Sequence, residues 1–423
     1  MTELGESPLA AGDRNLSVAE ARAAIHRELQ PVQGVEAVPV LQALGRVLAD
    51  DVISPIDVPA HDNSAMDGYA FDGAALRADA PLRLQVAGTV YAGAPWAGRV
   101  APGQCLRIMT GAVMPDGCDT VVPQELCRAD GDQVQVDPGV IRPGENRRRR
   151  GEDLACGKAA LRAGRVLRPA DLGLVASLGF ETVAVRRRLR VALFSTGDEI
   201  RAPGQPLDPG CIYDSNRYSL AGALQRLGVE VLDLGLVRDD PAALQATFER
   251  AVAEADAVLT SGGVSVGDAD HTRALMARLG DVAFWKVAMR PGRPFAFGPL
   301  RSAEGRRAWL FALPGNPVAA LVTFYAFARE ALLVLAGAAP EPLPTLRLRS
   351  AAPIRKRPGR TEFQRAIVER ASDGDWQVRL TGAQGAGILR SLSEANALVV
   401  LGHEQSSVAA GEPVEVWLFD GLV

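Results

Sequence analysis

The residues best suited to chemistry lie in short polar segments of an otherwise apolar chain. The most unusual segment is residues 59–70, PAHDNSAMDGYA, whose composition is typical of a loop that presents carboxylates. It contains two carboxylates, Asp62 and Asp67. Asp62, Asn63 and Ser64 have side chains that bond to nearby backbone and fix turns. The spacing within this segment identifies no particular chemistry by itself.

Two other segments have the composition of anion-binding loops. Residues 261–268, SGGVSVGD, combine glycines and serines, so backbone N–H groups can approach a phosphate beside a helix N-terminus. A tight strand-to-helix turn has the same composition. Residues 286–294, KVAMRPGRP, carry Lys286, Arg290 and Arg293, and guanidinium groups bind oxyanions through paired hydrogen bonds. A solvated basic loop is the alternative for this segment.

Carboxylates accompany these cationic loops. They are Glu199 in TGDE, Asp239 and Asp240 in VRDD, and Asp268 and Asp270 in GDAD. At a phosphate site, such carboxylates hold Mg²⁺, which takes a few acidic ligands and several waters. An aspartate that precedes a helix can instead cap it, and we favour this interpretation for Asp240. For Glu199 and Asp270 we favour a functional interpretation.

Two further motifs have no decisive interpretation of their own. Residues 147–150 are four arginines within NRRRRGED, which fit a solvated tract or a nucleic-acid patch, although the attached glycine and acids favour a turn. Thr110, in IMTGAVMP, is expected at a strand end. Its hydroxyl could bind a ligand or cap a turn there.

The hydrophobic pattern predicts the elements that position these segments. From Arg190 to about Ala339, strand-like and helix-like segments alternate, which predicts a doubly wound parallel sheet with helices on both faces. STGDE, SGGVSVGDADHT, AMRPGRP and PGNP each follow a predicted strand. Ligands of such sheets bind beyond the carboxyl ends of the strands, so we expect a site at this edge.

The flanking regions have different patterns. Ser17 and Glu20 form a capping-box pattern, which predicts an N-terminal helix. Residues 81–125 contain short β-type segments separated by Gly and Pro and predict a small all-β module. After the Pro-rich GAAPEPLP, the last eighty or so residues return to strands, which predicts a second β module.

Composition limits the class of protein. At roughly 150 residues per domain, the 423 residues suggest about three domains, and the net charge of −4 argues against a dominant nucleic-acid surface. Five cysteines without a C-x-x-C pair favour a reducing cytosol and argue against a zinc site.

The N-terminus lacks the features of a signal peptide. The apolar segment PVAALVTFYAFAREALLVLAGAA carries an arginine and a glutamate at its centre, which predicts a buried core helix rather than a membrane span.

Nine motifs occur in an order that resembles a known family. They are DNSAMDGYA, IMTGAVMP, NRRRRGED, FSTGDEI, IYDSNRYSL, SGGVSVGDAD, FWKVAMRPGRPFAFG, LPGNPVAA and PGRTEFQRA. Together they resemble the molybdopterin molybdenumtransferase family, which inserts molybdenum into molybdopterin and includes the C-terminal region of gephyrin. The resemblance extends from about Leu16 to the C-terminus.

The resemblance implies an elongated, L-shaped homodimer of a multidomain chain, α/β plus β. Residues 1–15 would be a disordered tail, and residues 16–57 and 153–187 an elongated N-terminal linker domain with helical parts. Residues 58–152 would form a β insert domain. Residues 188–339 would form a three-layer α/β molybdopterin-binding domain, and residues 340–423 a C-terminal β-barrel.

The resemblance also implies an activity. Adenylated molybdopterin and molybdate would be the substrates, and AMP would leave with the help of a divalent cation, usually Mg²⁺. The catalytic set consists of carboxylates, of which the first three would also bind the metal: Asp67, Glu199, Asp239 and Asp270. Molybdate would lie at Arg290 and Arg293. The substrate-binding set follows the motifs: Thr110, Arg148, Asp153, Asp214, Asn216, Ser261, Gly262, Gly263, Ser265, Lys286, Pro314, Gly315, Asn316 and Pro317.

The physical interpretation agrees with this activity. Cleavage of a phosphoanhydride beside a polyanion needs cations that neutralise developing charge and a positioned nucleophile. We expect Glu199, with Asp239 or Asp67, to orient Mg²⁺ on the pyrophosphate, and Asp270 to orient the nucleophile or the pterin. The resemblance implies a site shared between the sheet domain of one subunit and the β insert of the other. A cytoplasmic location would follow, with a molybdopterin adenylyltransferase and downstream molybdoenzymes as possible partners. Binding to nucleic acid or to a membrane is not expected.

Two departures and two alternatives accompany the resemblance. Arg290 and Arg293 stand where the family often has Lys-Pro-Gly-Lys, and Ala319 stands where many members have serine. The sheet domain alone resembles molybdopterin adenylyltransferases, but those enzymes lack the flanking β modules. A non-catalytic scaffold is the other alternative. The intact acidic set, which includes Asp67 and Glu199, favours an enzyme.

Overall fold

The computed structural model describes residues 15–263, 270–339 and 343–419, without the side chains of residues 270–273 and 277. The chain starts with β1 (Asn15–Leu16), α1 (Val18–Glu28), β2 (Val35–Pro39) and β3 (Val52–Ile53). The predicted capping box is present: Ser17 Oγ accepts from the Glu20 N–H at 3.2 Å, and Glu20 Oε2 accepts from the Ser17 N–H at 2.7 Å. The predicted N-terminal helix is therefore confirmed.

The next eight strands include the first small β module. They are β4 (Asn63–Ser64), β5 (Gly68–Phe71), β6 (Leu82–Val90), β7 (Gln104–Ile108), β8 (Thr120–Pro123), β9 (Cys127–Asp130), β10 (Gln133–Val136) and β11 (Arg147–Arg148). Six of them form one sheet in the order β8-β5-β7-β6-β10-β9, and β11 pairs with β4. The segment PAHDNSAMDGYA is thus not loop throughout, because Gly68 begins a strand between β7 and β8. A Cβ atom at Gly68 would lie 2.0 Å from the Val122 carbonyl oxygen, so only glycine permits this approach.

The chain then returns to its N-terminal elements through β12 (Ala159–Leu161), α2 (Pro169–Ser177) and β13 (Thr182–Arg186). β12 pairs with β3 and β13 pairs with β2, both antiparallel. Val58 and Leu154 form an antiparallel bridge at the point where the chain enters and leaves the insert. Val175 on α2 and Val185 on β13 belong to a buried cluster that holds these elements together.

A seven-stranded sheet occupies the centre of the chain. Its strands are β14 (Arg190–Thr196), β17 (Glu230–Val237), β18 (Ala257–Ser261), β19 (Ala283–Val287), β21 (Pro294–Arg301) and β22 (Arg307–Leu313), with β1 at one edge; the order is β1-β19-β21-β22-β18-β14-β17. β15 (Ile200–Arg201) pairs with β16 (Ile212–Tyr213) outside this sheet, and β20 (Met289–Arg290) lies between β19 and β21. The predicted parallel sheet is confirmed for β14, β17, β18 and β22. It is wrong for PFAFGPLR, which forms β21 and runs antiparallel to both of its neighbours.

Helices cover both faces of the sheet, as the alternation predicted. They are α3 (Asn216–Arg226), α4 (Pro241–Glu254), α5 (Asp270–Leu279), α6 (Pro317–Thr323) and α7 (Arg329–Leu335). Along β14, Leu193 packs in the core cluster with α3, α6 and α7, whereas Phe194 packs with α4 in the other. A strand that is apolar on both faces is typical of a sheet between two helical layers.

A π-helical turn over Phe324–Ala328 joins α6 to α7, so Pro317–Leu335 forms one continuous helix. Within the described ranges it is the one helix that is long and apolar enough to cross a membrane. Most of its residues are buried against the sheet and α1, which is the arrangement of a core helix in a soluble domain.

The last strands close into a five-stranded barrel. They are β23 (Leu346–Ser350), β24 (Thr361–Arg370), β25 (Trp376–Leu380), β26 (Ala397–Leu401) and β27 (Pro413–Leu418), and α8 (Leu389–Ser393) lies before β26. The order is β24-β25-β23-β27-β26, and β26 pairs back to β24. β20 also pairs with β24, so the segment that carries Arg290 is attached to the barrel.

Candidate active site

The polar segments predicted to share one edge of the sheet do so. β14, β17, β18 and β22 are parallel, and their carboxyl ends lead to Gly197, Arg238, Gly262 and Pro314. β19 runs in the same direction, because β21 is antiparallel to both β22 and β19. The AMRPGRP segment therefore starts at this edge as well, although the reason is a mixed sheet rather than a parallel one.

Glu199 and Asp239 lie on adjacent loops of this edge. The Thr196 hydroxyl donates a hydrogen bond to Asp239 Oδ1, and the Asp239 N–H donates to Asp198 Oδ1 at 3.3 Å. Glu199 is exposed, and its carboxylate makes no hydrogen bond or ion pair with the residues the structure describes. A Cβ atom at Gly197 would lie 2.7 Å from Glu199 Oε2, so glycine leaves room for this carboxylate. Glu199 is thus presented to a ligand, while Asp239 is held by its neighbours.

Asp214 is buried in a hydrogen-bond network at the start of α3. Its carboxylate accepts from Ser195 Oγ at 3.0 Å, from the Arg217 N–H at 3.1 Å and from Arg217 Nε at 3.0 Å. These contacts occupy both carboxylate oxygens, so the position of Asp214 fixes the helix start relative to β14.

Asn216 joins two loops of the site edge. Its side-chain Nδ2 donates to Ser261 Oγ and to the Gly315 carbonyl oxygen, both at 2.6 Å. Its Oδ1 is buried without a partner among the described residues. Asn216 therefore holds the SGG and PGN segments against each other and keeps one acceptor available.

The glycines of these loops pack backbone against backbone. Gly262 has φ of +98°, and a Cβ atom there would lie 2.5 Å from the Thr196 carbonyl oxygen. Gly315 lies next to Gly262: a Cβ atom added to Gly315 would lie 4.0 Å from the Gly262 Cα. Ser265 lies outside the described residues. Asp270 begins α5, and its side chain is outside the description.

Arginines from two parts of the chain line one cleft of about 400 Å³. Arg290 and Arg293 come from the segment between β19 and β21, and Arg360 comes from the barrel. Arg293 donates to Asn15 Oδ1 at 3.2 Å and Arg360 donates to Glu362 Oε1 at 2.9 Å, whereas Arg290 makes no hydrogen bond or ion pair with described residues. Three guanidinium groups at one cleft suit a tetrahedral oxyanion.

The rest of the cleft comes from the PGN segment, Ala319, Gln384 and Ala386. Gly292 has φ of +99°, and a Cβ atom there would lie 2.3 Å from Thr323 Oγ1, so the arginine segment packs directly on α6. Lys286, predicted to bind substrate, lies within β19 in register with Asn15 and is not among the lining residues. Sequence reasoning missed Arg360 and Gln384 as cleft residues. Arg360 lies in the PGRTEFQRA motif, which marks a strand start but does not indicate what that strand approaches.

Asp67 and Thr110 lie together in the insert. Asp67 Oδ1 accepts hydrogen bonds from the Thr110 N–H and from the Thr110 hydroxyl, both at 2.7 Å. These two bonds hold the pKa of the exposed Asp67 carboxyl below its ordinary value. Ser64 Oγ donates to the Met66 carbonyl oxygen at 2.6 Å and fixes the turn before Asp67. Asp67 is therefore a fixed, charged and accessible carboxylate.

The four-arginine motif supports the same segment. Arg147 pairs with Asp62 at 2.5 Å, and the Arg150 N–H donates to Asp62 Oδ1 at 2.7 Å. Arg148, predicted to bind substrate, pairs with Glu152 at 2.7 Å, and the neighbouring Asp153 is exposed. These ion pairs account for much of the charge of the motif and favour a turn scaffold over a nucleic-acid patch.

No three His, Cys, Asp or Glu side chains lie close enough to hold a metal ion within the part of the chain that is described. Glu199 and Asp239 are nevertheless hard oxygen donors of the kind Mg²⁺ takes. Mg²⁺ at phosphate sites is held by one or two carboxylates together with substrate phosphates and water rather than by an all-protein cage. The donor set at this edge fits that mode of binding.

Three family models match consecutive parts of the chain. They are the MoeA N-terminal region (domain I and II) over residues 16–179, a probable molybdopterin binding domain over residues 192–333, and the MoeA C-terminal region (domain IV) over residues 347–419. A molybdopterin molybdenumtransferase from Haemophilus influenzae is 40% identical over 409 residues, which are 96% of this chain and 100% of the relative. A molybdopterin molybdenumtransferase 2 from Mycobacterium tuberculosis is 38% identical over 392 residues, 90% of this chain and 94% of the relative.

A solved structure has the same architecture. The crystal structure of a molybdopterin biosynthesis MoeA protein from Pyrococcus horikoshii superposes with a TM-score of 0.82 at 28% sequence identity, and the match covers 96% of this chain and 100% of that one. Sequence and fold therefore agree over nearly the full length.

Proposed function

The chain belongs to the molybdopterin molybdenumtransferase family, and we propose that it inserts molybdenum from molybdate into adenylated molybdopterin with release of AMP. The observation that carries the chemistry is the arginine cleft beside the carboxylate-bearing edge of the sheet. A site that binds molybdate and cleaves a phosphoanhydride needs both cations for oxyanions and carboxylates for a metal.

The cleft lined by Arg290, Arg293 and Arg360 is the proposed molybdate site. Arg290 has no protein partner among described residues, so its guanidinium is available to an oxyanion. The neighbouring Pro314, Gly315, Asn316 and Pro317 belong to the loop that Asn216 ties to Ser261. We assign that loop, with Gly262 and Gly263, to the pterin phosphate, because glycines let an anion approach the backbone closely; the Gly262 N–H itself donates to the Leu313 carbonyl oxygen at 3.1 Å.

Cleavage of the adenylate is assigned to the carboxylates. Water would attack one phosphorus of the phosphoanhydride and break its bond to the bridging oxygen. Attack at the molybdopterin phosphorus leaves the bridging oxygen on AMP, whereas attack at the AMP phosphorus places the water oxygen on AMP. Glu199 and Asp239 would hold Mg²⁺, which neutralises charge on the phosphates when bound. Asp239 is fixed by Thr196, and Glu199 is exposed for this purpose. Asp270 is proposed to orient the nucleophile or the pterin.

We further propose a homodimer in which Asp67 of one subunit completes the site of the other. Asp67 and Thr110 belong to the insert sheet, which is separate from the sheet that carries Glu199. Large apolar side chains are available at the surface for association, since Leu41 is 92% exposed and Tyr213 is 44% exposed.

The purified protein should be incubated with adenylated molybdopterin, Mg²⁺ and molybdate. Release of AMP together with a molybdenum-bearing cofactor is the expected result. If neither forms, the proposed reaction is wrong. Synthesis of adenylated molybdopterin from ATP would indicate an adenylyltransferase instead.

A further inference from the structure

A cavity of about 460 Å³ lies at the amino edge of the central sheet, opposite the candidate active site. Arg190 and Glu230 begin β14 and β17. Asp256 and Arg306 directly precede β18 and β22, so all four parallel strands start at this amino-edge cavity. The seven residues of β14 span roughly 20 Å, which separates the cavity from the loop that carries Glu199.

The other wall of the amino-edge cavity comes from the N-terminal linker elements. Glu36 lies on β2, and Arg187 and Arg188 lie between β13 and β14. The Arg46 side chain is 8% exposed and donates to Glu36 and, at 2.8 Å, to the Arg186 carbonyl oxygen. The cavity therefore lies where the linker meets the sheet, and a ligand in it would contact both.

The lining carries more positive charge than its carboxylates balance. Five arginines accompany three carboxylates, which leaves an excess of two positive charges. Asp256 is bound through both oxygens by Arg187, at 2.7 and 2.8 Å, and also accepts from the Arg190 N–H at 2.9 Å. The other two carboxylates form ion pairs with Arg46 and with Arg190. Each lining carboxylate is therefore already paired with an arginine.

Arg188 and Arg306 are the two lining arginines left without a carboxylate. Arg188 donates to the Gly228 carbonyl oxygen just beyond α3, a contact typical of a helix C-terminus. The exposed Arg306 side chain makes no hydrogen bond or ion pair within the described part of the chain. Its backbone is fixed, because the Arg306 N–H donates to Ser302 Oγ at 3.2 Å and its carbonyl oxygen accepts from the Ser302 N–H at 2.9 Å. A guanidinium on a fixed turn suits an oxyanion.

The hairpin of β21 and β22 adds positive charge at the same edge. Arg301 lies directly opposite Arg307 in the strand register, where like charges destabilise a sheet. The Arg307 guanidinium lies 4.1 Å from the centre of the Trp309 ring, and burial together with the Arg301 charge lowers the pKa of Arg307. An anion near the turn between these strands would offset that repulsion.

The lining also limits the class of anion. Among the residues that the structure describes, no apolar or aromatic side chain lines the cavity, so a nucleoside base or an acyl chain would find no apolar surface to cover. A compact oxyanion with two or more negative charges matches the charge excess and accepts several N–H donors.

We propose that the amino-edge cavity binds an inorganic phosphate anion, either orthophosphate or pyrophosphate, and that the bound anion joins the linker to the sheet domain. Arg306 is the residue of the lining with donors free for this anion. The site is separate from the proposed transferase reaction and does not rest on it.

The test is calorimetric titration of the full-length protein with orthophosphate and with pyrophosphate, at constant ionic strength and without Mg²⁺. At least one anion should bind, and Arg306→Met should weaken that binding about tenfold, the loss expected for a charge-assisted hydrogen bond. Arg83→Met is the matched control and should bind like the wild type, because Arg83 is an exposed arginine of β6 outside the cavity. Equal affinities of Arg306→Met and wild type for both anions overturn the proposal.

Two further titrations separate this site from the arginine cleft and from a nucleotide site. Arg290→Met, which alters the cleft, should keep the Arg306-dependent binding, and loss of all binding in this variant contradicts a site at the amino edge. AMP should bind at the amino-edge cavity more weakly than the inorganic anion. Stronger Arg306-dependent binding of AMP overturns the assignment to an inorganic phosphate.

Thermal melting tests the connection between the linker and the sheet domain. A ligand that binds the folded protein raises its melting temperature, so the anion that binds should do so for the wild type and for Arg83→Met, and less for Arg306→Met. An equal rise in all three proteins, at equal ionic strength, contradicts the proposal.

Discussion

Asp67 and Thr110 are joined twice, by a backbone N–H and by a hydroxyl that both donate to the same carboxylate oxygen at 2.7 Å. The residues are 43 positions apart and meet because β5 and β7 pair antiparallel, with Gly68 opposite Ile108. The pairing fixes the direction of the carboxylate and holds its pKa below the ordinary value. Asp67 therefore keeps its negative charge to lower pH than a free aspartate.

Replacement of the Thr110 hydroxyl should move the acidic limb of the pH–activity profile. Thr110→Val removes one of the two bonds that lower the Asp67 pKa, so that pKa rises and activity is lost at a higher pH than in the wild type. Because the folded pKa is depressed, any stability these bonds contribute is present above the pKa of the unfolded aspartate and is lost as pH falls through the folded pKa. Profiles of kcat/KM for Thr110→Val and Thr110→Ser are the measurement, with the serine variant close to wild type. Identical acidic limbs in all three proteins would contradict this function of Thr110.

Asp67→Asn should lower turnover by about a hundredfold or more without a large change in thermal stability, since an exposed carboxylate contributes to charge at the site rather than to packing. Asp132→Asn is the matched control, because Asp132 is also an exposed aspartate of the insert, in the turn between β9 and β10. AMP release and thermal melting of both variants provide the comparison. A marked loss of melting temperature in Asp67→Asn would indicate a structural function instead.

Mixed dimers should test whether the site is shared. Asp67→Asn and Glu199→Gln are each expected to be inactive, and exchange of their subunits should restore activity by forming one site that carries both carboxylates. A mixture of Glu199→Gln with Asp239→Asn should stay inactive, because both changes lie on the same sheet edge. Absence of recovery in the first mixture, under conditions in which subunit exchange is verified, would rule out a two-subunit site.

Gly262→Ala should destabilise the sheet domain more than a positive φ alone explains. Left-handed backbone costs an L-residue about 1–2 kcal/mol. A Cβ at Gly262 would in addition meet the Thr196 carbonyl oxygen at 2.5 Å. Gly235→Ala is the control, since Gly235 also has positive φ, +79°, but has no neighbouring atom within 4 Å of an added Cβ. Equal losses in denaturant unfolding of the two variants would mean that the loop around Gly262 relaxes.

The elements that the sequence predicted well are those set by local chemistry. Ser17 and Glu20 define a helix start within four residues, and Asp240 caps α4 by accepting from the Ala243 N–H, as favoured. The carboxyl edge was also predictable, because each polar segment directly follows an apolar strand. These features depend on residues close together in the chain.

The relations that sequence reasoning missed are long-range. PFAFGPLR is apolar and contains proline and glycine, and only its pairing with β19 and β22 reveals it as an antiparallel strand. Arg360 reaches the cleft because β20 pairs with β24, a contact between segments about seventy residues apart that local pattern does not encode. Asp214 was assigned to substrate by motif, whereas its buried contacts with Ser195 and Arg217 give it a positioning function that depends on the fold.

The bridge between Val58 and Leu154 has a consequence for protein engineering. The two ends of the insert meet in a single antiparallel bridge, so this segment of nearly one hundred residues begins and ends at one place. A short hairpin turn between these two residues would therefore close the remaining chain without moving β3 or β12. The insert is in this sense a removable module, and an insert-free protein would separate folding of the sheet and barrel from the carboxylate that the insert supplies.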